Sequence, residues 1–149
     1  MSELVFLLEE ASAQAMLEGM LPRLLPSDLP VRYVVFDGKQ DLEKQIVKRL
    51  RGYLSPGAKF VILRDKDSED CRIVKNRLVE KCREASKGDS LVRIVCHELE
   101  SWFLADLKAV EVGLNLAKLS AKQNRAKFRA PDSLANASEE LEKLTNFMY

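Results

Sequence analysis

The chain has 149 residues, 46% of them hydrophobic and 32% charged, with a formal net charge of +1. That balance fits one soluble globular domain with a real core rather than a disordered chain, and gives no wholesale electrostatic attraction to nucleic acid. Cys71, Cys82 and Cys96 show no Cys-x-x-Cys spacing, so reduced, buried thiols in a cytoplasmic protein are expected rather than a disulfide framework or a zinc ribbon.

The first apolar run, Leu4-Val5-Phe6-Leu7-Leu8, lies in a strand expected over 3–8 and ends in Glu9-Glu10. No basic region precedes it, and it is too short for a signal peptide or a membrane span. Met16, Leu17, Met20 and Leu21 then form a helical face that Pro22 should end or kink. A second strand is expected over 31–36, followed by Asp37-Gly38 as ordinary turn chemistry. Asp41 is expected to cap a helix with Leu42, Ile46, Leu50 and Tyr53 on its apolar face, stopped by Ser55-Pro56-Gly57. The third strand, 59–64, runs into Asp65-Lys66-Asp67, and Ser68 is expected to cap the next helix. That helix spaces Cys71, Val74, Leu78 and Cys82 along one face. Gly88-Asp89 turns the chain into a fourth strand over 91–96. Beyond it, Leu99, Phe103 and Val110 share a helical face, with Trp102 and Phe103 read as core. Strands separated by helices of this length predict crossovers and a parallel sheet. The expected architecture is α/β: a three-layer α/β/α, Rossmann-like single domain with a mainly parallel four-stranded sheet. Its core covers about 1–110, and a basic helical segment covers about 111–149.

The chemistry gathers at the strand ends. In an extended segment residues two apart project to one side, so Asp65 and Asp67 would present their carboxylates to one volume. Such charges repel unless a cation or proton sits between them, and hard oxygen ligands favour Mg²⁺ or Mn²⁺ over zinc. In a parallel sheet every strand ends on one edge, where ligands bind. The strands here end in Glu9, Asp37, Asp65 and, just past the fourth, Glu98. The competing reading has these acids capping helix N-termini, where the helix dipole favours them. His97 reads as structural, because one histidine builds no zinc site and His97-Glu98-Leu99-Glu100-Ser101 lacks the second histidine of the metalloprotease pattern. Lys118, Lys122, Arg125, Lys127 and Arg129 sit in 118–129 without an acid among them. They are candidate nucleic-acid-binding cations, with Phe128 available to stack on a base; a solvated face is the alternative.

Leu-Leu-Glu9 at the end of strand one and Leu-Arg-Asp65-Lys-Asp67 at the end of strand three resemble the TOPRIM pattern of topoisomerases, primases and OLD nucleases. Together with Glu98-Leu99-Glu100-Ser101-Trp102-Phe103-Leu104-Ala105-Asp106 and Phe128-Arg129-Ala130-Pro131-Asp132, they resemble more closely a bacterial group, the TOPRIM-like domain-of-unknown-function 4276 family. The resemblance covers nearly the whole chain. It implies a TOPRIM-like fold and Mg²⁺- or Mn²⁺-dependent phosphodiester chemistry. Glu9 would be a metal ligand or general acid/base, Asp65 and Asp67 the metal-holding aspartates, and Glu100 a further acidic ligand. Two positions depart from the pattern: Glu10 stands where a glycine is usual, and Ala13 where OLD-type nucleases carry another acid.

The leading expectation is therefore a metal-dependent nuclease acting on nucleic acid, DNA before RNA. The OLD resemblance suggests a separately encoded ATPase partner in a bacterial defence or mobile-element setting. A homodimer is left open and no membrane is expected. A non-catalytic nucleic-acid-binding or partner-regulating module with a relic metal site is the second class, supported by Glu10 and Ala13. A phosphoacceptor receiver is the third, weakened by Cys96-His97 where such modules want Ser or Thr after strand four. Tyr33 and Tyr53 read as core, and nothing argues for a topoisomerase. Related sequences are expected to run beyond Leu141-Glu142-Lys143-Leu144, with an element completing a basic groove or a dimer surface.

Overall fold

The computed structural model describes residues 2–149, which pack as two compact units. Among the described residues the first comprises 2–64 and 70–94; the second comprises 65–69 and 95–149. The boundary anticipated near 110 falls inside a helix of the second unit.

The strands β1 (Glu3–Leu8), β2 (Val31–Val35), β3 (Ala58–Asp65) and β4 (Leu91–Val95) alternate with α1 (Ala11–Met20), α2 (Lys39–Gly52) and α3 (Cys71–Glu84). The strands form one sheet in the order β2-β1-β3-β4, parallel throughout, with helices as flanking layers. This is the α/β, Rossmann-like architecture that the alternation predicts. Leu4↔Val31 to Leu8↔Val35 and Glu3↔Ala58 to Leu8↔Leu63 set the register about the central strand β1.

Period-two alternation sorts the strand residues between the two faces. Val5 and Leu7 of β1 and Phe60 and Ile62 of β3 share one core with Leu42, Ile46 and Leu50 of α2 and Val74, Leu78 and Cys82 of α3. Full burial of each such aliphatic side chain contributes about 1.5–3 kcal/mol, which holds α2 and α3 to one face. Phe6 points to the other face and stacks on Tyr33 at 5.9 Å between ring centroids. Tyr53 packs edge-on to Phe60 at 5.3 Å, as its core reading requires. Helix α1 ends at Met20, and Pro22 lies in the 3-10 turn Leu21–Arg23 that follows.

Several local expectations are corrected. Helix α2 starts two residues before Asp41, with Gly38 at its N-cap; Asp41 sits in the first turn and its carboxylate accepts from the Asp37 N–H at 3.0 Å. Gly38 has φ +91°, a conformation open to glycine and costly for other residues. Asp70, not Ser68, caps α3: its Oδ1 accepts from the N–H groups of Arg72 (2.8 Å) and Ile73 (3.3 Å). A carboxylate at that position answers the first-turn donors and the helix dipole together. Cys71 and Cys96 are exposed and only Cys82 is buried, because Cys71 opens α3 where the helix has not yet turned onto the sheet. Trp102 is 41% exposed rather than core, while its neighbours Ser101 and Leu104 fill the buried side of their short helix.

The first unit also buries a charge near the end of β3. Arg64 continues the parity of Phe60 and Ile62 and is therefore carried to the α2/α3 face, where its side chain is 1% exposed. Its Nη2 lies 3.1 Å from Oε1 of Glu43 on α2, and Nη2 of Arg77 on α3 reaches the same oxygen at 2.8 Å. One carboxylate thus serves two guanidinium groups, joining both helices to the end of β3.

The second unit contains α4 (Glu100–Leu104), α5 (Leu107–Gly113), α6 (Ala126–Arg129) and α7 (Ala137–Leu144). Leu104, Leu107, Leu119, Phe128, Ala137 and Leu141 form its core, with Phe103 and Val110 partly buried against it. Gln123 ties these short pieces together: its Oε1 accepts from the Leu107 N–H (2.8 Å), and its Nε2 donates to the carbonyls of Leu104 (2.9 Å) and Phe128 (3.0 Å). No helix is long and apolar enough to cross a membrane among the described residues.

Glu111 on α5 makes the loop to Ser120 sensitive to acid. The Ser120 N–H above all, then the Lys108 ammonium and the Ser120 hydroxyl, hold its carboxyl down to about 2 against an ordinary value of 4.5. A depressed carboxyl stabilises the fold fully above its unfolded value and loses that contribution as pH falls through the folded one. The stability gap between the parent and Glu111→Gln should therefore be constant above about pH 5 and close progressively between 4.5 and about 2. Denaturant unfolding measured across that range checks it; a gap that ignores pH would show that these contacts do not hold in solution.

Candidate functional site

The strand order defines where a ligand should meet the sheet. The chain passes from β1 to β2 on one side and then crosses to β3 on the other, so the crossovers diverge between β1 and β3. In open parallel sheets that divergence, at the carboxyl ends of the strands, is the usual ligand crevice. Glu9 directly follows β1, and Asp65 is the last residue of β3. Leu8↔Leu63 is the last pair of the register between these strands.

Glu9 is half-buried, and its carbonyl accepts the Gly38 N–H at 3.0 Å, so a backbone bond fixes the chain where it leaves β1. Glu10 has φ −152° and ψ 167°, extended backbone that any residue adopts. The glutamate in place of glycine therefore carries no conformational penalty. Its Oε1 accepts from the Ser12 hydroxyl at 2.8 Å, and Ala13 is buried in α1. Asp37 is exposed and belongs to the turn that ends in Gly38.

Backbone bonds organise the second group of acids. Lys66 N–H donates to the Val95 carbonyl (2.8 Å), and Asp67 N–H donates to the His97 carbonyl (2.7 Å). Asp67 (φ +53°) and His97 (φ +59°) are both left-handed, which costs L-residues roughly 1–2 kcal/mol each, least for Asp and Asn. Strain of this kind, fixed by a bond between the two strained residues, is characteristic of functional loops. It also corrects the simple pairing of Asp65 with Asp67: β3 ends at Asp65, so the two-residue periodicity does not extend to Asp67. His97 contributes its backbone carbonyl here.

The remaining acids already serve protein donors. Asp65 Oδ2 accepts from the Leu99 N–H at 3.2 Å, at the start of α4. Glu98 Oε2 accepts from the Ser138 N–H at 2.8 Å and so caps α7, whose own N-cap, Asn136, makes no side-chain bond. Glu100 is buried, 8% exposed, and its Oε1 accepts from the Tyr149 hydroxyl at 2.7 Å. The helix-capping alternative thus holds for Asp65. Among the described residues no three His, Cys, Asp or Glu side chains come together as a group that could hold a metal ion. The donor set is nonetheless carboxylate oxygen, which suits Mg²⁺ or Mn²⁺. Mg²⁺ is typically held by one or two carboxylates, waters and substrate phosphates rather than by an all-protein cage.

In the basic stretch, Arg125 and Arg129 are exposed, and Lys122 is half-buried at the end of the 3-10 turn Ser120–Lys122. Lys127 pairs with Glu140 at 2.9 Å. Phe128 is only 2% exposed and belongs to the core of the second unit, so the base-stacking role expected for it is withdrawn. Its apolar surface stabilises the unit instead. Sequence reasoning missed the Glu98 cap, the Tyr149–Glu100 bond and the Gln123 hub. The only advance signal for Arg64 was its even spacing from Phe60 and Ile62.

The family model described as "Domain of unknown function (DUF4276)" matches residues 8–146, and the chain belongs to that family. No curated protein matches the chain, and no solved structure does.

Proposed function

We propose that this protein carries out divalent-ion-dependent cleavage of phosphodiester bonds in nucleic acid, as a TOPRIM-type nuclease. The observation that carries the reading is the placement of Glu9 and Asp65 at the carboxyl ends of β1 and β3, the strands between which the crossovers diverge. Asp67, in its strained turn, is the third acid of the set, and Glu100 the fourth. Of Asp65, Asp67 and Glu100, one or two would supply oxygen ligands for Mg²⁺ or Mn²⁺, with substrate phosphate and water completing the coordination. Such an ion neutralises nonbridging phosphate oxygens when bound. Glu9 holds or moves the proton of the attacking water, or adds a ligand. Lys122, Arg125 and Arg129, and more weakly the paired Lys127, contact backbone phosphates. The TOPRIM resemblance of these motifs supports DNA as the first substrate to test, and its OLD branch supports a separate ATPase partner in the bacterial cytoplasm.

The test is incubation of the chain with supercoiled plasmid, single-stranded DNA and RNA, in Mg²⁺ or Mn²⁺ and in chelator, with and without a candidate ATPase. Metal-dependent cleavage is expected. Absence of cleavage under every condition would favour the second reading, a non-catalytic nucleic-acid-binding or partner-regulating module. The protein contacts already made by Asp65, Glu98 and Glu100 support that alternative.

A further inference from the structure

A second basic surface lies wholly within the first unit. Cys71, Arg72 and Lys75 at the start of α3 and Val92, Arg93 and Ile94 on β4 line a cavity of about 430 Å³. β4 is an edge strand, so one side of this cavity is open sheet edge rather than further protein backbone. Three cations and no acid surround it. Among the described residues, no carboxylate forms an ion pair with Arg72, Lys75 or Arg93, whereas Arg32, Arg51, Lys59, Arg77, Arg83 and Lys127 all have acidic partners. Asp70, the nearest acid in sequence, spends its Oδ1 on the cap of α3. Arg93 Nη1 donates to the Val92 carbonyl at 3.2 Å, which curls the guanidinium back along the strand edge.

Unneutralised cations gathered in a concave surface hold a positive potential that low-dielectric walls concentrate. Arginine in particular presents several donors that match phosphate oxygens. We infer that the α3–β4 groove binds the sugar–phosphate backbone of nucleic acid through Arg72, Lys75 and Arg93. The inference rests on the nucleic-acid reading above and moves the main electrostatic contact from 118–129 to this groove. In that stretch Lys127 already has a carboxylate partner; in the groove no cation does. Val92 is buried and offers no stacking platform, so the groove tracks backbone without reading sequence.

The experiment is fluorescence anisotropy of labelled duplex and single-stranded oligonucleotides with the full chain in chelator, where metal-dependent cleavage cannot contribute. The triple variant Arg72→Gln/Lys75→Gln/Arg93→Gln should bind at least tenfold more weakly. Its slope of log affinity against log salt should be shallower by about 2–3, since each lost phosphate contact removes roughly 0.7–0.9. Arg125→Gln/Arg129→Gln should also weaken binding, but by less than the triple variant. As a separate readout in a Cys96→Ser background, bound oligonucleotide should slow alkylation of Cys71 severalfold. A triple variant that binds with the parent's affinity and salt slope, or a parent that binds no nucleic acid, overturns the inference. Binding in chelator with no cleavage once Mg²⁺ or Mn²⁺ is supplied would instead count against the nuclease and leave the groove standing; cleavage in metal with a triple variant unimpaired in binding would do the reverse.

Discussion

Glu43→Ala should destabilise the first unit by about 1–3 kcal/mol, because it removes a carboxylate that lies against the buried Arg64 guanidinium. The size of the loss follows from asymmetry. A buried ion pair adds little over an apolar replacement of the same shape, but removing one partner exposes the full desolvation cost of the other. Arg77 is 36% exposed and can recover water, whereas Arg64 at 1% cannot. Replacing both members, Glu43→Gln with Arg64→Met, should therefore return much of the lost stability. Chemical denaturation of the single and double variants measures this. A single-variant loss below about 1 kcal/mol would mean that water reaches Arg64 and the pair is a surface one.

Asp65→Asn and Asp67→Asn should each reduce metal-dependent cleavage by at least about a hundredfold, the scale on which charge-stabilising groups act in active sites. Both substitutions preserve shape and remove negative charge. Glu9→Gln should have a comparable effect through the proton or ligand it supplies. Asp65 carries a second expectation: its amide retains an acceptor oxygen for the Leu99 N–H, so Asp65→Asn should unfold within about 1 kcal/mol of the parent. Inactivity therefore could not be blamed on lost structure. Cleavage that persists undiminished in both aspartate variants would belong to another site or to a contaminant.

The sheet was legible because its strands are short apolar runs separated by turn residues and amphipathic helices. The spans 3–8 and 31–36 match β1 and β2 to within one residue, and the helical faces of Leu42, Ile46, Leu50 and of Val74, Leu78, Cys82 are the ones buried. Cap positions were less legible, since Asp41, Ser68 and Asp70 all have capping chemistry and only backbone geometry chooses among them. Arg64 went unrecognised because a charged residue beside a strand normally marks its solvated end. Its burial depends on Glu43 and Arg77, distant in sequence. Phe128 and Trp102 exchanged their expected environments for a related reason. In a unit built from helices of four to eight residues, periodicity spans too few turns to tell the inner from the outer side. The acids at the strand ends could be named from sequence, but the donors they accept from could not. Those donors include Leu99 and Ser138 backbone groups, which leave no compositional mark.

Calorimetric titration of Mn²⁺ into the metal-free chain tests the central claim most directly, because it asks about the acids without depending on the choice of substrate. The account predicts saturable binding to the parent, weakened at least tenfold in both Asp65→Asn and Asp67→Asn and unchanged in Arg125→Gln/Arg129→Gln. Binding that is absent from the parent, or equally strong in the aspartate variants, would contradict it.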